Sequence, residues 1–302
     1  HATLVLSPSG DLPEVLPDFM FGRGDELTVR SYVELIRKAK TDARIDGILL
    51  RPGGINSPFW AKLQELRGAI DDFKTSGKYV YAWLEYGGDR EYFLSSVADK
   101  VYLLPSASLD LTGVASYEVF LRGTFDWIGT YPDFLHVGDY KTAVNTYLEK
   151  SFTPAHKEMS QSLNRSQYDQ LVGAIADARG KSEAEVRALI DQGPFQAVDA
   201  LRVGLIDEVA YEDELDDLIP ELKDADYVDA EDYVSVTWER TGVTRRSKIA
   251  VINASGVINS GSSGFDPVNG AVVGSDSLVE YIREARANDS IKGIVLRVDS
   301  PG

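Results

Sequence analysis

Short apolar runs alternate with amphipathic stretches along the first 140 residues, and this alternation predicts strands separated by helices. The predicted strands are residues 4–6, 47–50, 78–84, 100–104 and 134–137. The helices predicted between them are residues 31–40, 58–75, 89–96 and 117–128. Because helices that connect apolar strands cover both faces of a parallel sheet, the pattern predicts an α/β domain.

After residue 150 the pattern becomes helical. Thr153 is a helix N-cap with Pro154 at the first helical position, and a long helix is predicted to run to Arg179 and stop at Gly180. A capping box at 182–185 begins a further helix, followed by a helix at 195–202 and a short strand at 205–209. Residues 212–239 are strongly acidic, with strand-like alternation at 233–236, and are interpreted as the edge of the first domain plus a linker.

The chain contains an internal repeat. Residues 5–51 match residues 251–297 at a constant offset of 246 without gaps, and each copy reads strand, loop, helix, strand. Chance similarity between two α/β segments would not hold one register for so long, so we interpret the repeat as a duplication. The predicted domains are residues 1–240 and a second, incomplete copy with its linker at residues 241–302.

The last strand of each repeat ends in a turn of similar composition. The first copy reads Arg51-Pro52-Gly53-Gly54, and the second copy ends in Asp299-Ser300-Pro301-Gly302. Sites in parallel α/β folds form at the carboxyl ends of strands, and a Pro-Gly turn there can direct backbone N–H groups at a ligand oxygen. A tight turn without a ligand fits the spacing equally well, so both readings stay open.

Composition excludes several classes of function. A net charge of −17 argues against nucleic acid as a partner and would repel an anionic membrane surface. The chain has no cysteine, and its three histidines show no ligand spacing, so we predict neither a metal site nor a cofactor. No apolar run approaches 18 residues. Because a strand starts almost at His1, we expect that an anchor or signal segment preceded it.

The most distinctive local motif is Gly138-Asp139-Tyr140-Lys141-Thr142-Ala143. A predicted strand leads into it, and apolar positions between 140 and 150 predict a helix, which would place Lys141 in the first turn. The helix dipole disfavours a positive charge there, so both dipole and burial would lower the pKa of a lysine and suit it to act as a neutral general base. An exposed lysine on a short helix is the other reading.

Three features together resemble the long, two-domain form of signal peptide peptidase A (protease IV, peptidase family S49) in the ClpP/crotonase-like superfamily. They are the lysine motif at 138–143, the following segment at 153–158, and the strand and turn at 294–302. The chain departs from the family pattern at Asn145-Thr146-Tyr147, which puts local substrate contacts in question. The resemblance implies repeated ββα units around a parallel sheet, in tandem duplicated domains of which the second is truncated here.

The resemblance also implies roles for named residues. Lys141 would be the general base of a Ser–Lys dyad, Thr142, Tyr140 and Gly138 would support it, and Gly302 would belong to the oxyanion turn. The family nucleophile lies in a Ser-Gly-Gly-Tyr type of motif, whose best first-copy counterpart, residues 89–93, begins with Asp89 instead of serine. The offset of 246 carries position 89 to position 335, so the serine is absent from this chain, which we expect to be inactive alone.

By the same resemblance, the substrates would be apolar peptides such as the remnants of cleaved signal peptides. The protein would be a homotetramer with a shared active site, held at the bacterial inner membrane by an anchor outside this chain, with its catalytic part on the periplasmic side. Two alternatives are a non-catalytic scaffold of the same fold and acyl-CoA chemistry. The second fits less well, because crotonase enzymes share the oxyanion turn and lack the lysine motif.

Overall fold

The computed structural model describes residues 1–16, 27–57, 60–244, 247–267 and 270–302. Within them the strands are β1 (Ala2–Leu6), β2 (Ile45–Leu50), β3 (Tyr79–Leu84), β4 (Gly87–Gly88), β5 (Lys100–Leu103), β6 (Ser108–Asp110), β7 (Phe195–Gln196), β8 (Glu208–Val209), β9 (Asp226–Asp229), β10 (Lys248–Ser255), β11 (Val257–Asn259), β12 (Gly264–Asp266), β13 (Gly270–Gly274) and β14 (Ile291–Asp299). The helices are α1 (Val29–Thr41), α2 (Trp60–Lys74), α3 (Asp89–Ser95), α4 (Arg122–Trp127), α5 (Asn145–Leu148), α6 (Pro154–Arg179), α7 (Glu183–Ile190), α8 (Ala197–Arg202), α9 (Leu215–Leu218), α10 (Ala230–Tyr233) and α11 (Ser275–Ala287).

The first unit is built on a six-stranded sheet in the order β8-β5-β3-β2-β1-β9, with every neighbouring pair parallel. Its central strand β2 is buried on both faces: Ile48 lies in the larger hydrophobic cluster with α1 and α2, and Leu49 in the smaller cluster on the other face. The predicted α/β class with a parallel sheet is therefore confirmed. The predicted domain boundary at residue 240 stays a prediction.

The duplication predicted from the sequence is repeated in the backbone. Thr3 pairs with Gly47 in β1–β2, and Ile249 pairs with Gly293 in β10–β14, which is the same pairing shifted by 246 positions. Both pairs carry a register irregularity after their first residue. Helices α1 and α11 have the same length and begin 246 positions apart. The two copies therefore share strand register as well as sequence.

Burial differs between the two copies. Ile48 and Leu50 of β2 are fully buried, whereas Ile294 and Leu296, their counterparts in β14, are 42% and 47% exposed. In the first unit β2 lies between β1 and β3, while β14 pairs with β10 in a two-stranded sheet among the described residues. The same apolar pattern therefore lies in a complete core in the first copy and on a partly open face in the second.

The long helix α6 follows its predicted bounds. The Thr153 hydroxyl accepts a hydrogen bond from the His156 N–H at 3.3 Å, and Gly180 ends the helix in the left-handed region at φ 61°. The capping box at Ser182 and Glu185 is also present. These bounds could be predicted because caps are local: the groups that satisfy the free N–H and C=O groups at the helix ends lie within a few residues of them.

Two predicted elements are wrong. The helix expected at 117–128 is shortened to α4, and Tyr117 and Val119 lie 92% and 63% exposed before it. The strand expected at 233–236 is absent, because Tyr233 ends α10 and donates its hydroxyl to the buried Asp42 carboxylate at 2.9 Å. A short pattern of apolar residues does not by itself specify a helix or a strand, because the residues that pack against it can lie far away in the sequence. Among the described residues, no helix combines the length and apolarity needed to cross a bilayer.

Candidate active site

Lys141 lies at the end of a surface segment that follows α4. The strand predicted at 134–137 is not formed, and Leu135 and Val137 are 99% and 89% exposed. Lys141 precedes a 3₁₀ turn, Thr142–Val144, which leads into α5, so it does not sit in the first turn of an α-helix that follows a strand. The strand prediction fails because an apolar run forms a stable strand only beside a partner strand, and among the described residues no strand pairs with this segment.

The residues around Lys141 are held against α6. The Tyr140 hydroxyl donates to Glu158 Oε2 at 2.8 Å, and the Thr142 hydroxyl contacts Met159 Sδ at 3.7 Å. The hydrogen bond from Tyr140 to Glu158 raises the pKa of Tyr140. Because residues on both sides of Lys141 are tied to the first two turns of α6, the position of the Lys141 backbone depends on this helix.

Gly138 shapes the turn before the lysine. Its φ of 85° lies in the left-handed region, where a residue with a Cβ is strained. The Lys141 N–H donates to the Gly138 carbonyl at 3.3 Å, which closes the turn. Of the predicted site residues, Gly138, Tyr140, Lys141 and Thr142 therefore lie together, and the hydroxyl of Thr142 contacts α6.

A second set of buried polar residues lies where α5 meets the start of α6, and none of them was predicted as a site residue. His156 is 4% exposed and packs edge-on against Phe120 and Phe152. The buried Asn145 amide nitrogen lies 3.5 Å from His156 Nδ1 and 3.5 Å from Thr153 Oγ1. The departure at residue 145 thus falls on a residue that joins α5 to the start of α6. The three-residue spacing from Thr153 to His156 indicates the helix cap, and no local pattern indicates the contact with Asn145.

The Lys141 side chain is exposed beside a shallow groove of about 630 Å³. The groove is lined by Leu135, His136, Val137, Tyr140, Lys141, Thr142, Ala143 and Val144. Within the described part of the chain, no carboxylate lies within ion-pair distance of the Lys141 amine. The amine is therefore accessible from the groove, and the walls beside it suit an apolar ligand.

The first-copy turn is occupied by the chain's own carboxylate. The Glu91 carboxylate is buried and accepts the Ile55 N–H at 2.7 Å, while the Gly53 N–H donates to the Pro8 carbonyl at 3.2 Å. Asp89 occupies the position that corresponds to the serine of the Ser-Gly-Gly-Tyr type of motif. It accepts hydrogen bonds from the N–H groups of Thr112 and Gly113 at 3.1 Å each. This turn can thus hold a carboxylate oxygen, and the position beside it offers no hydroxyl nucleophile.

The buried position of Asp89 can be tested through the pH dependence of the free energy of unfolding. Burial raises its pKa to about 6, against a usual value of 3.8. A folded-state pKa above the unfolded value means that the folded chain binds the extra proton, so stability falls as pH rises from about 4 to about 6. We expect Asp89→Asn to raise the free energy of unfolding by about 2 kcal/mol at pH 7.5. Urea unfolding should show this gain disappear near pH 4, and an equal gain at both pH values would contradict the assignment.

The second-copy turn lies in the other unit. The Gly302 N–H donates to the Ser300 hydroxyl at 3.0 Å, and the Gly302 carbonyl accepts the Ile258 N–H at 3.0 Å. Gly302 has a φ of 125°, in the region that favours glycine. It does not line the groove beside Lys141 in the part of the chain that the structure describes. The structure therefore places the predicted base and the predicted oxyanion turn in different units of the chain.

A family model and two curated relatives match this chain, and all three carry the names of proteases or peptidases. The family model for peptidase family S49 matches residues 72–226. The chloroplastic serine protease SPPA of Arabidopsis thaliana is 30% identical over 272 residues, covering 88% of this chain and 40% of the relative. Protease 4 of Haemophilus influenzae is 28% identical over 285 residues, covering 88% of this chain and 45% of the relative. The chain thus spans less than half the length of these curated relatives.

Among solved structures, ClpP1 of Listeria monocytogenes resembles the chain with a TM-score of 0.40 at 13% identity. The match covers 70% of this chain and 94% of that one.

Proposed function

The chain belongs to peptidase family S49, and from this membership we propose that it is the lysine-bearing part of a serine endopeptidase with a Ser–Lys dyad. The observation that carries the proposal is Lys141. It lies inside the matched region, between two residues tied to α6, with its amine exposed beside an apolar groove and unpaired with any described carboxylate. The motif at 138–143 resembles the lysine motif of this same family.

The proposed mechanism uses Lys141 as a general base. The amine must first lose its own proton, and we propose that burial against a neighbouring subunit favours this neutral form. The neutral amine then takes the proton from a serine hydroxyl, and the serine oxygen attacks the carbonyl carbon of the scissile peptide bond. Backbone N–H groups of the second-copy turn around Gly302 stabilise the oxyanion that develops on the carbonyl oxygen. The ammonium of Lys141 then gives its proton to the departing amine, and water hydrolyses the acyl-enzyme. We place the serine at about position 335, where the repeat offset of 246 carries position 89.

The substrate class follows from the groove. Leu135, Val137, Ala143 and Val144 present apolar side chains beside the amine, which favours extended apolar peptides such as signal peptide remnants over charged ones. The segment before Lys141 also exposes large apolar side chains, among them Tyr117, Trp127 and Tyr131 at 92%, 86% and 74%. Such an exposed patch supports assembly with further copies. We propose a homotetramer whose lysine and serine come from neighbouring subunits.

We further propose attachment to the bacterial inner membrane through an anchor outside these residues, with the catalytic part on the periplasmic side. The net charge of −17 disfavours binding to an anionic bilayer by electrostatics alone, so attachment would require an apolar segment.

A non-catalytic scaffold is the second candidate, favoured by Asp89, which replaces the nucleophile in the first copy. Treating the full-length protein with a fluorophosphonate probe separates the two. The peptidase proposal predicts covalent labelling of one serine, located after residue 302 by mass spectrometry, and loss of labelling after heat denaturation. A scaffold would stay unlabelled and would not cleave an apolar fluorogenic peptide, and that result would contradict the proposal.

A further inference from the structure

Near the end of β14, two side chains of opposite charge lie on one face of the strand. Each of them forms ion pairs with the first unit. Arg297 and Asp299 are two positions apart, so their side chains leave the strand on the same side. Both lie directly before residues 300–302, the second-copy turn. Their partners belong to the first unit, at Glu14 and on the first turns of α2.

Arg297 bridges two carboxylates of the first unit. Its Nε and Nη2 donate to Glu14 at 2.9 and 2.8 Å, and its Nη1 and Nη2 donate to Glu65 at 2.9 and 2.8 Å. The Glu14 side chain is only 7% exposed. These two carboxylates raise the pKa of Arg297. A guanidinium held bidentately by two carboxylates has a restricted orientation, so the contact defines geometry as well as attraction.

A second ion pair lies beside the first. Lys62 Nζ is 3.1 Å from Asp299 Oδ2, and the Lys62 side chain is 12% exposed. Lys62 and Glu65 are three residues apart on α2, so they share one face of that helix. The helix therefore presents a positive and a negative charge to a strand that presents the opposite charges in matching positions.

This pattern specifies register. A shift of β14 by one residue would place Val298 against α2 and turn both charges to the other face of the strand, leaving Glu14 buried without its partner. The two ion pairs therefore select one position of β14 against the first unit.

The first copy uses the equivalent arginine differently. Arg51, at the same repeat position, pairs with Glu212 within its own unit. The duplicated arginine thus serves an internal contact in one copy and a contact between units in the other. The link between α2 and β14 is a property of the second copy and does not follow from the repeated motif.

We propose that Lys62 and Glu65 of α2, with Glu14, act as positioning residues that hold the turn at 300–302 in a defined place on the first unit of the same chain, and thereby set where this turn stands beside the lysine that a neighbouring subunit contributes. This inference rests on the proposed function for the catalytic role of the turn, while the positioning itself does not depend on it. A displacement of about 1 Å in such a site can cost about 100-fold in rate, which gives the contact a catalytic consequence.

The test uses the full-length protein with Lys62→Glu and with the conservative variant Lys62→Arg, which keeps the positive charge beside Asp299. Lys62→Glu should speed amide hydrogen exchange in peptides from residues 291–302 by about 10-fold and lower kcat about 10- to 100-fold, with KM changed less than about 3-fold. Lys62→Arg should retain both properties of the unmodified protein. Lys40→Glu is the matched control. Lys40 lies on α1 and pairs with Asp72 of α2 at 2.6 Å, away from β14.

The two readouts separate the possible failures. Unchanged exchange in Lys62→Glu would overturn the positioning role whatever the activity shows. Faster exchange with unchanged kcat would show a structural contact without a role in the reaction, which also overturns the proposal. If the unmodified full-length protein cleaves no peptide, the proposed function fails, and hydrogen exchange alone decides whether α2 positions the turn.

Discussion

Replacing Lys141 by alanine in the full-length protein is expected to lower kcat/KM for cleavage of an apolar fluorogenic peptide by about 10²- to 10⁴-fold. This is the usual contribution of a positioned general base. A serine hydroxyl is a weak nucleophile until a base removes its proton, and alanine cannot do so. Stability should change little, because the Lys141 side chain is exposed and forms no ion pair with a described carboxylate. Peptide hydrolysis and thermal unfolding of the same preparation measure both effects.

Two further variants make this test specific. Lys141→Arg should be as inactive as the alanine variant, because a guanidinium keeps its proton at any working pH and cannot act as a base. Lys150→Ala is the matched control: Lys150 is a nearby surface lysine, with its side chain 66% exposed and paired with Asp126. It should retain activity within about 2-fold, because exposed ion pairs contribute little. Full activity in Lys141→Ala, or in Lys141→Arg, would contradict the general-base assignment.

Leu171→Ala is expected to lower the free energy of unfolding by about 2–5 kcal/mol, the range for truncating a fully buried leucine. Leu171 has no exposed surface and lies in the main hydrophobic cluster with Val172 and Ile175 on the same helix. The C-terminal half of α6 is thus anchored in the core, while its first two turns hold Tyr140 and Thr142. Urea unfolding monitored by circular dichroism measures the loss.

Leu163→Ala supplies the comparison on the same helix. Leu163 is 58% exposed, so the same truncation there should change the free energy of unfolding by no more than about 0.5 kcal/mol. If both variants lost equal stability, the placement of the buried face of α6 would be wrong. We also expect Leu171→Ala to lose peptidase activity at a lower temperature than the unmodified protein, because unfolding of α6 releases the residues on either side of Lys141.

Much of the fold could be predicted from local patterns. The bounds of α6 were correct because Thr153, Pro154 and Gly180 act within one turn of the helix ends. The repeat was correct because two copies of one pattern reinforce each other over many positions, and the backbone repeats the register irregularity after Ala2 at Lys248. The lysine motif at 138–143 was recognised from its residues, and its role in a site stays a prediction.

The surroundings of that motif were not predictable in the same way. The apolar run at 134–137 indicated a strand, but an apolar residue has the same sequence signature in a core and on an exposed surface. Tyr117 and Leu135 remain exposed because no described part of the chain covers them. The contact of Tyr140 with Glu158 joins residues 18 positions apart, and the contact of Asn145 with His156 joins α5 to α6. No local periodicity indicates either.

By itself the sequence determined the α/β class, the ends of the long helix, the duplication and the lysine motif, because each depends on residues that are close together or repeated. The tertiary structure alone decided that Lys141 stands on a surface segment outside the sheet and that Glu91 fills the first-copy turn. It also decided that Arg297 pairs across units while Arg51 pairs within its own. These outcomes depend on which surfaces meet, and residues between 36 and 283 positions apart set that choice through packing and charge.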